Sequence, residues 1–126
     1  MVGKYFKQCI TFFNIVLGAY IRLREIHFNT NIQAQHNLTN DVMPALMDYA
    51  DLIMENAMGM FGRPGFDVLS STKNKSKTIK ECLEGLRSDA LTLKLSLDKD
   101  TLSGITNVLD DMITDLNKWI YLSENK

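Results

Sequence analysis

Apolar residues recur along most of the chain at intervals of three and four, the spacing that predicts amphipathic helices. Residues Tyr5 to about Phe28 read as a first helix, apolar on more than one face through Phe6, Cys9, Ile10, Phe13, Val16, Leu17, Tyr20, Leu23 and His27. A helix apolar on most sides is expected to be buried on most sides. The polar "NTN", Asn29 to Asn31, can turn the chain and cap a second helix running from about Asn31 to Phe61. Ile79, Cys82, Leu83, Leu86, Ala90, Leu93 and Leu97 form one stripe on a third helix. "DKD", Asp98 to Asp100, breaks that pattern and offers an N-cap. A fourth helix then carries Leu102, Ile105, Leu109, Met112, Ile113, Leu116 and Trp119 or Ile120 on its inner face.

Four helices, two tight turns and one long middle connection predict an all-α four-helix bundle, a single domain over residues 1–126. Only two prolines and seven glycines occur, too few and too unevenly placed to punctuate a β protein. The middle connection, "GRPGFDVLSSTKNKSK", includes 14 residues from Gly62 to Lys75. At up to about 3.3 Å per residue such a segment can span a bundle. Helices 2 and 3 can therefore run parallel through a long crossover, the ferritin-like arrangement, with a plain up-down bundle as the alternative. Pro44 lies inside the second helix and is expected to kink it near Asn40.

Fourteen basic and fifteen acidic side chains leave a net charge of −1, which argues against a protein that grips nucleic acid by neutralising phosphates. Only Lys4 and Lys7 precede the first apolar run, so DNA binding is not expected at physiological salt. Four lysines between Lys73 and Lys80 read as a solvated loop, with contact to a phosphate as the alternative. Cys9 and Cys82, far apart and in apolar patterns, read as buried thiols of a reducing compartment. The uncharged run "CITFFNIVLGAYI" is 13 residues long, short of the roughly 20 that span a bilayer. It lacks a small-residue cleavage site, and its pattern runs on through Arg22, Arg24 and Glu25, so a soluble cytoplasmic protein is expected, with no membrane partner. The methionines, Met54, Met58 and Met60 among them, read as core filler or a partner surface.

Candidate chemistry gathers around "IHFNTNIQAQH". His27 and His36, the two histidines, flank the first hairpin. Antiparallel helices pack about 8–10 Å apart, so imidazoles placed like these can converge on one ion. Asp51 and Glu55 are four residues apart on one face of the second helix, with Asp48 a turn earlier. His36 and Asp51 are fifteen residues apart, about 22 Å at 1.5 Å per residue, too far to share an ion within one chain. Either they serve separate purposes, with the acidic residues a solvated face, or one subunit's histidines meet the other's carboxylates. A two-fold dimer along helix 2 does the latter, making two equal sites.

His27, Phe28 and Asn29, then His36, then Asp51 and Glu55 resemble the pattern of Dps proteins, the miniature ferritins. The close interval between the histidines is most similar to short Dps-like proteins encoded by phages. The likeness is carried by residues 20–60; beyond them it rests on helical pattern. It implies a ferritin-like homo-oligomer whose iron-oxidation sites lie across a dimer interface, with His27, His36, Asp51 and Glu55 as ligands. Iron would be the metal, with zinc or manganese also suited to imidazole and carboxylate. Tyr20 and Trp119 read as core residues, with a radical role as the alternative. Two departures stand out. Dps has an acidic residue one turn after the second histidine, where this chain has Asn40, a poorer ligand for a hard cation. Asn40 and Asp48 are thus secondary candidates. The second departure is Pro44. Both favour the alternative function, a non-enzymatic phage accessory protein that binds a host protein or sequesters a small ligand.

Overall fold

The computed structural model describes residues 2–63 and 73–124. The periodic stretches wind into four helices: α1 (Val2–Asn29), α2 (Gln33–Phe61), α3 (Ile79–Ser96) and α4 (Ser103–Ser123). No strand occurs among the described residues. The chain is an all-α four-helix bundle.

Each turn is organised by short polar side chains, though not always those the sequence suggests. In "NTN" the work falls to Thr30, whose hydroxyl accepts the Ile32 N–H at 3.1 Å and donates to Gln35 Oε1 at 2.7 Å. The N-cap of α2 is Ile32, without a side-chain cap, so Asn31 does not cap it. Gly62, at φ +83°, closes α2 by donating its N–H to the Met58 carbonyl at 2.8 Å, a left-handed position that favours glycine. Thr78 caps α3 by accepting the Glu81 N–H at 3.1 Å, while Glu81 Oε2 accepts from Lys77 N–H at 3.2 Å. "DKD" does not cap α4. Asp98 instead folds the chain into a turn, its Oδ1 accepting the Asp100 N–H at 3.0 Å and its carbonyl the Leu102 N–H at 2.8 Å. Leu102 is the N-cap of α4. Helix α2 continues unbroken through Pro44, which sits on its exposed side.

Contacts between helices set their directions. Tyr5 stacks on Phe61 at 6.4 Å and His27 on His36 at 3.9 Å, so α1 and α2 are antiparallel. Arg22 Nε donates to the Ser76 carbonyl at 2.5 Å and Cys82 Sγ to the Ala19 carbonyl at 3.9 Å, while Phe12 and Leu93 line one cleft. Helix α3 is therefore antiparallel to α1 and parallel to α2. Arg87 to Asn117 (2.9 Å) and Lys94 to Asp110 (2.5 Å) make α4 antiparallel to α3. The order up-down-down-up is that of a crossover bundle and excludes the plain up-down alternative. The connection itself, residues 64–72, lies outside the described residues.

The core is filled from all four helices, with Val16, Leu23, Leu46, Ile53, Leu83, Leu86, Leu109 and Leu116 fully buried. The predicted stripes of α3 and α4 turn inward, with Trp119 and Ile120 both buried and Ile113 packed at the margin. Helix α1 differs from expectation. Phe6, Cys9, Phe12, Val16, Ala19 and Leu23 face the core, while Ile10, Phe13, Leu17 and Tyr20 are only partly covered. A second apolar row, Leu17, Ile21 and Phe28, therefore lies outside the core, with Ile21 46% and Phe28 71% exposed, while Ile10 packs at the core margin. Cys9 and Cys82 are buried free thiols, and burial pushes them up to about 11 and about 12. No helix among the described residues is long and apolar enough to cross a membrane.

Candidate functional site

The hairpin between α1 and α2 brings the two histidines together. Their rings stack with centroids 3.9 Å apart and planes 25° from parallel, both half-buried. Phe28, next in sequence, sets its ring edge-on to His27 at 5.2 Å. Convergence follows from the turn: α1 ends at Asn29 and α2 begins at Gln33, so each histidine lies about one turn from the loop.

Thr39 completes the pair. Its Oγ1 lies 2.8 Å from His27 Nδ1, and it is fully buried. The hydroxyl proton has two acceptors on its own helix, the Gln35 carbonyl at 3.0 Å and the His36 carbonyl at 2.9 Å. In the arrangement where that proton stays on α2, the threonine oxygen accepts the Nδ1–H of His27, and Nε2 is the nitrogen left to coordinate. Metal-binding histidines are commonly held this way, the remote nitrogen fixed by a neighbour and the other left to coordinate. Sequence reasoning passed over Thr39. The available signal was a threonine one helical turn from His36, on the side of α2 that faces α1.

The acidic residues lie elsewhere. Asp48, Asp51 and Glu55 are all exposed on α2, and none has a hydrogen bond or ion pair among the described residues. Asn40 is exposed one turn beyond His36. Among the described residues no three His, Cys, Asp or Glu side chains gather closely enough to hold a metal within one chain. The structure brings together His27 with His36 and leaves Asp51 and Glu55 apart from them, in keeping with about 22 Å of helix between His36 and Asp51.

Other polar contacts have local explanations. Tyr20 accepts from Arg24 Nη1 at 3.0 Å, and that guanidinium lies 5.6 Å from the Phe28 ring centre. Trp119 is a core residue. Tyr49 donates to Asp115 across the α2–α4 contact, and burial followed by the nearby Asp115 carboxylate pushes its phenol well above the usual range.

A family model described as a family of unknown function (DUF5856) matches residues 27–122, and the chain belongs to that family. No curated protein and no solved structure matches it.

Proposed function

We propose that this member of the DUF5856 family is a metal-binding homodimer in which His27 and His36 of one chain share a divalent ion with Asp51 and Glu55 of its partner. Ferrous iron is the substrate, oxidised there by dioxygen or peroxide in the manner of the Dps proteins the chain resembles. The observation that carries this reading is the stacked pair with Thr39 on His27 Nδ1, which frees a nitrogen lone pair for a metal. Two further features support it. The carboxylates of Asp51 and Glu55 are exposed and unpaired, so two negative charges stand ready to balance a divalent cation. The row Leu17, Ile21 and Phe28 gives α1 an outward apolar strip, a surface that dimerisation would cover.

Each chain residue has a plain task on this reading. His27 and His36 position the ion through ring nitrogens, and Thr39 holds His27 in the coordinating tautomer. Asp51 and Glu55 neutralise charge and favour the ferric product, because hard oxygen donors bind the higher charge better. Asn40, neutral at a position where Dps has a carboxylate, favours a second reading: the same dimer holding a metal or small ligand without oxidation. Two measurements on purified protein separate them. Zinc titration by calorimetry should give one ion per chain on either metal-binding reading. Ferrous oxidation faster than in buffer supports the ferroxidase, and a rate equal to buffer removes it. Light scattering that shows only monomer at tens of micromolar would remove the shared site under both.

A further inference from the structure

On another side of α1, away from the outward apolar row, a cleft of about 280 Å³ opens between α1 and α3. Its apolar part is Phe12, Ile15 and Leu93. Of its polar lining, Lys7 brings donors, while Thr11, Thr92, Ser96 and Asp89 present acceptors. Thr11 donates its hydroxyl proton to the Lys7 carbonyl at 3.0 Å, Thr92 to the Ser88 carbonyl at 3.0 Å and Ser96 to the Leu93 carbonyl at 2.7 Å. With those protons turned back onto their own helices, the three oxygens offer only lone pairs to the cleft. Gln8 adds a carbonyl oxygen, Oε1, that is shut off from solvent and has no hydrogen-bond partner. A turn of its amide toward the cleft would let that oxygen accept from an N–H group.

Asp89 gives this acceptor-rich wall its charge. Its carboxylate lines the cleft without a hydrogen bond or ion pair among the described residues, because the described salt bridges use Arg22, Lys80 and Lys94 with other acids. Burial alone pushes its pKa upward, the mark of a carboxylate losing water without gaining a cation. Lys7, the cleft's one cationic side chain, makes no ion pair with it.

We propose that this cleft binds a small organic cation, a primary amine or guanidine carried on an apolar body, with the cationic head on Asp89 and Gln8 and the body against Phe12, Ile15 and Leu93. A neutral or anionic molecule of the same shape would leave Asp89 uncompensated. At about 280 Å³ the cleft falls just below the usual range of ligand pockets, which starts at about 300 Å³, and suits only a single-ring amine. The site is independent of the metal reading, since it shares no residue with the histidines, the α2 carboxylates or the outward apolar row.

Phenethylamine and phenylguanidine, titrated into the wild-type protein by heteronuclear NMR, test this directly. Saturable shifts centred on Phe12, Asp89 and Leu93 are expected, with 2-phenylethanol and 3-phenylpropionate weaker by about tenfold or more, the value of a charge-assisted hydrogen bond. Asp89→Asn, nearly isosteric, should weaken the amines by a similar factor while circular dichroism stays unchanged. Lys7→Met should leave amine binding as tight or tighter, since it removes a like charge. The proposal is overturned if neither cation gives saturable shifts below about 10 mM, weaker than any specific site of this kind. It also fails if the alcohol or carboxylate binds as well as the amine, or if Asp89→Asn has no effect on amine affinity.

Discussion

Consider His36→Ala and Asp51→Ala chains, each inactive as a homodimer because each lesion damages both sites. If one ion is shared across the two-fold axis, a mixed dimer concentrates both lesions in one site and leaves the other whole. The separation along α2 makes this outcome distinctive, because about 22 Å of helix keeps the two positions from meeting inside one chain. Equal amounts unfolded together and refolded should assemble at random, so about half the dimers are mixed and each carries one intact site of two. Total oxidation should therefore recover to about one quarter of wild type, and purified mixed dimers to about one half. The assay is initial ferrous oxidation in air, read by ferric absorbance, with differently tagged chains to isolate the mixed species. A mixed dimer, shown by light scattering to be dimeric, that oxidises no faster than its two parents would refute the shared site. Activity that survives Asp51→Ala and Glu55→Ala together would show that the ligands are other residues.

Three further outcomes follow from particular contacts. Thr39→Val keeps the shape but strands the His27 Nδ1–H; stability should fall by about 1–3 kcal/mol in chemical denaturation and zinc affinity by roughly tenfold to a hundredfold, whereas Thr39→Ser should retain both. Unchanged zinc affinity in Thr39→Val would end the positioning role. Ile21→Asp, on the outward row of α1, should yield a folded monomer by light scattering; a dimer of wild-type strength would place the interface elsewhere. The third concerns pH. Cys9 and Cys82 hold their protons in the fold up to about 11 and about 12, above their ordinary 9.0. Their contribution is thus full below pH 9 and is lost as pH rises toward 11 and 12, because the unfolded chain alone releases those protons. Thermal midpoints should fall steadily over that window, and both thiols should resist Ellman's reagent until the protein unfolds.

Periodicity was enough wherever a helix has one apolar stripe. On α3 and α4 one stripe of apolar residues recurs at threes and fours and the structure buries it, leaving Leu91, Leu95, Tyr121 and Leu122 exposed outside it. The convergence of His27 and His36 was legible for a related reason. A turn of three residues leaves the flanking helices no choice but to lie side by side, and two residues near its ends must meet. Even the separation of His36 from Asp51 followed from helix rise alone.

Helix α1 shows where that kind of reading stops. Its sequence is apolar on two sides, and periodicity does not say which faces the core; packing against α2 and α3 chose Phe12 and Ala19 and turned Leu17, Ile21 and Phe28 outward. The direction of α3 likewise needed contacts between distant segments, Arg22 with Ser76 and Ala19 with Cys82, because a connection long enough for a crossover is also long enough for other paths. Thr39 was hidden for the same reason. A buried threonine in mid-helix has nothing local to mark it, and it gains meaning only when another helix sets an imidazole nitrogen 2.8 Å from its hydroxyl. Local sequence determines which residues can share a face of one helix; which faces meet is decided by the whole core closing at once, since burying one apolar row fixes what the others are left to cover.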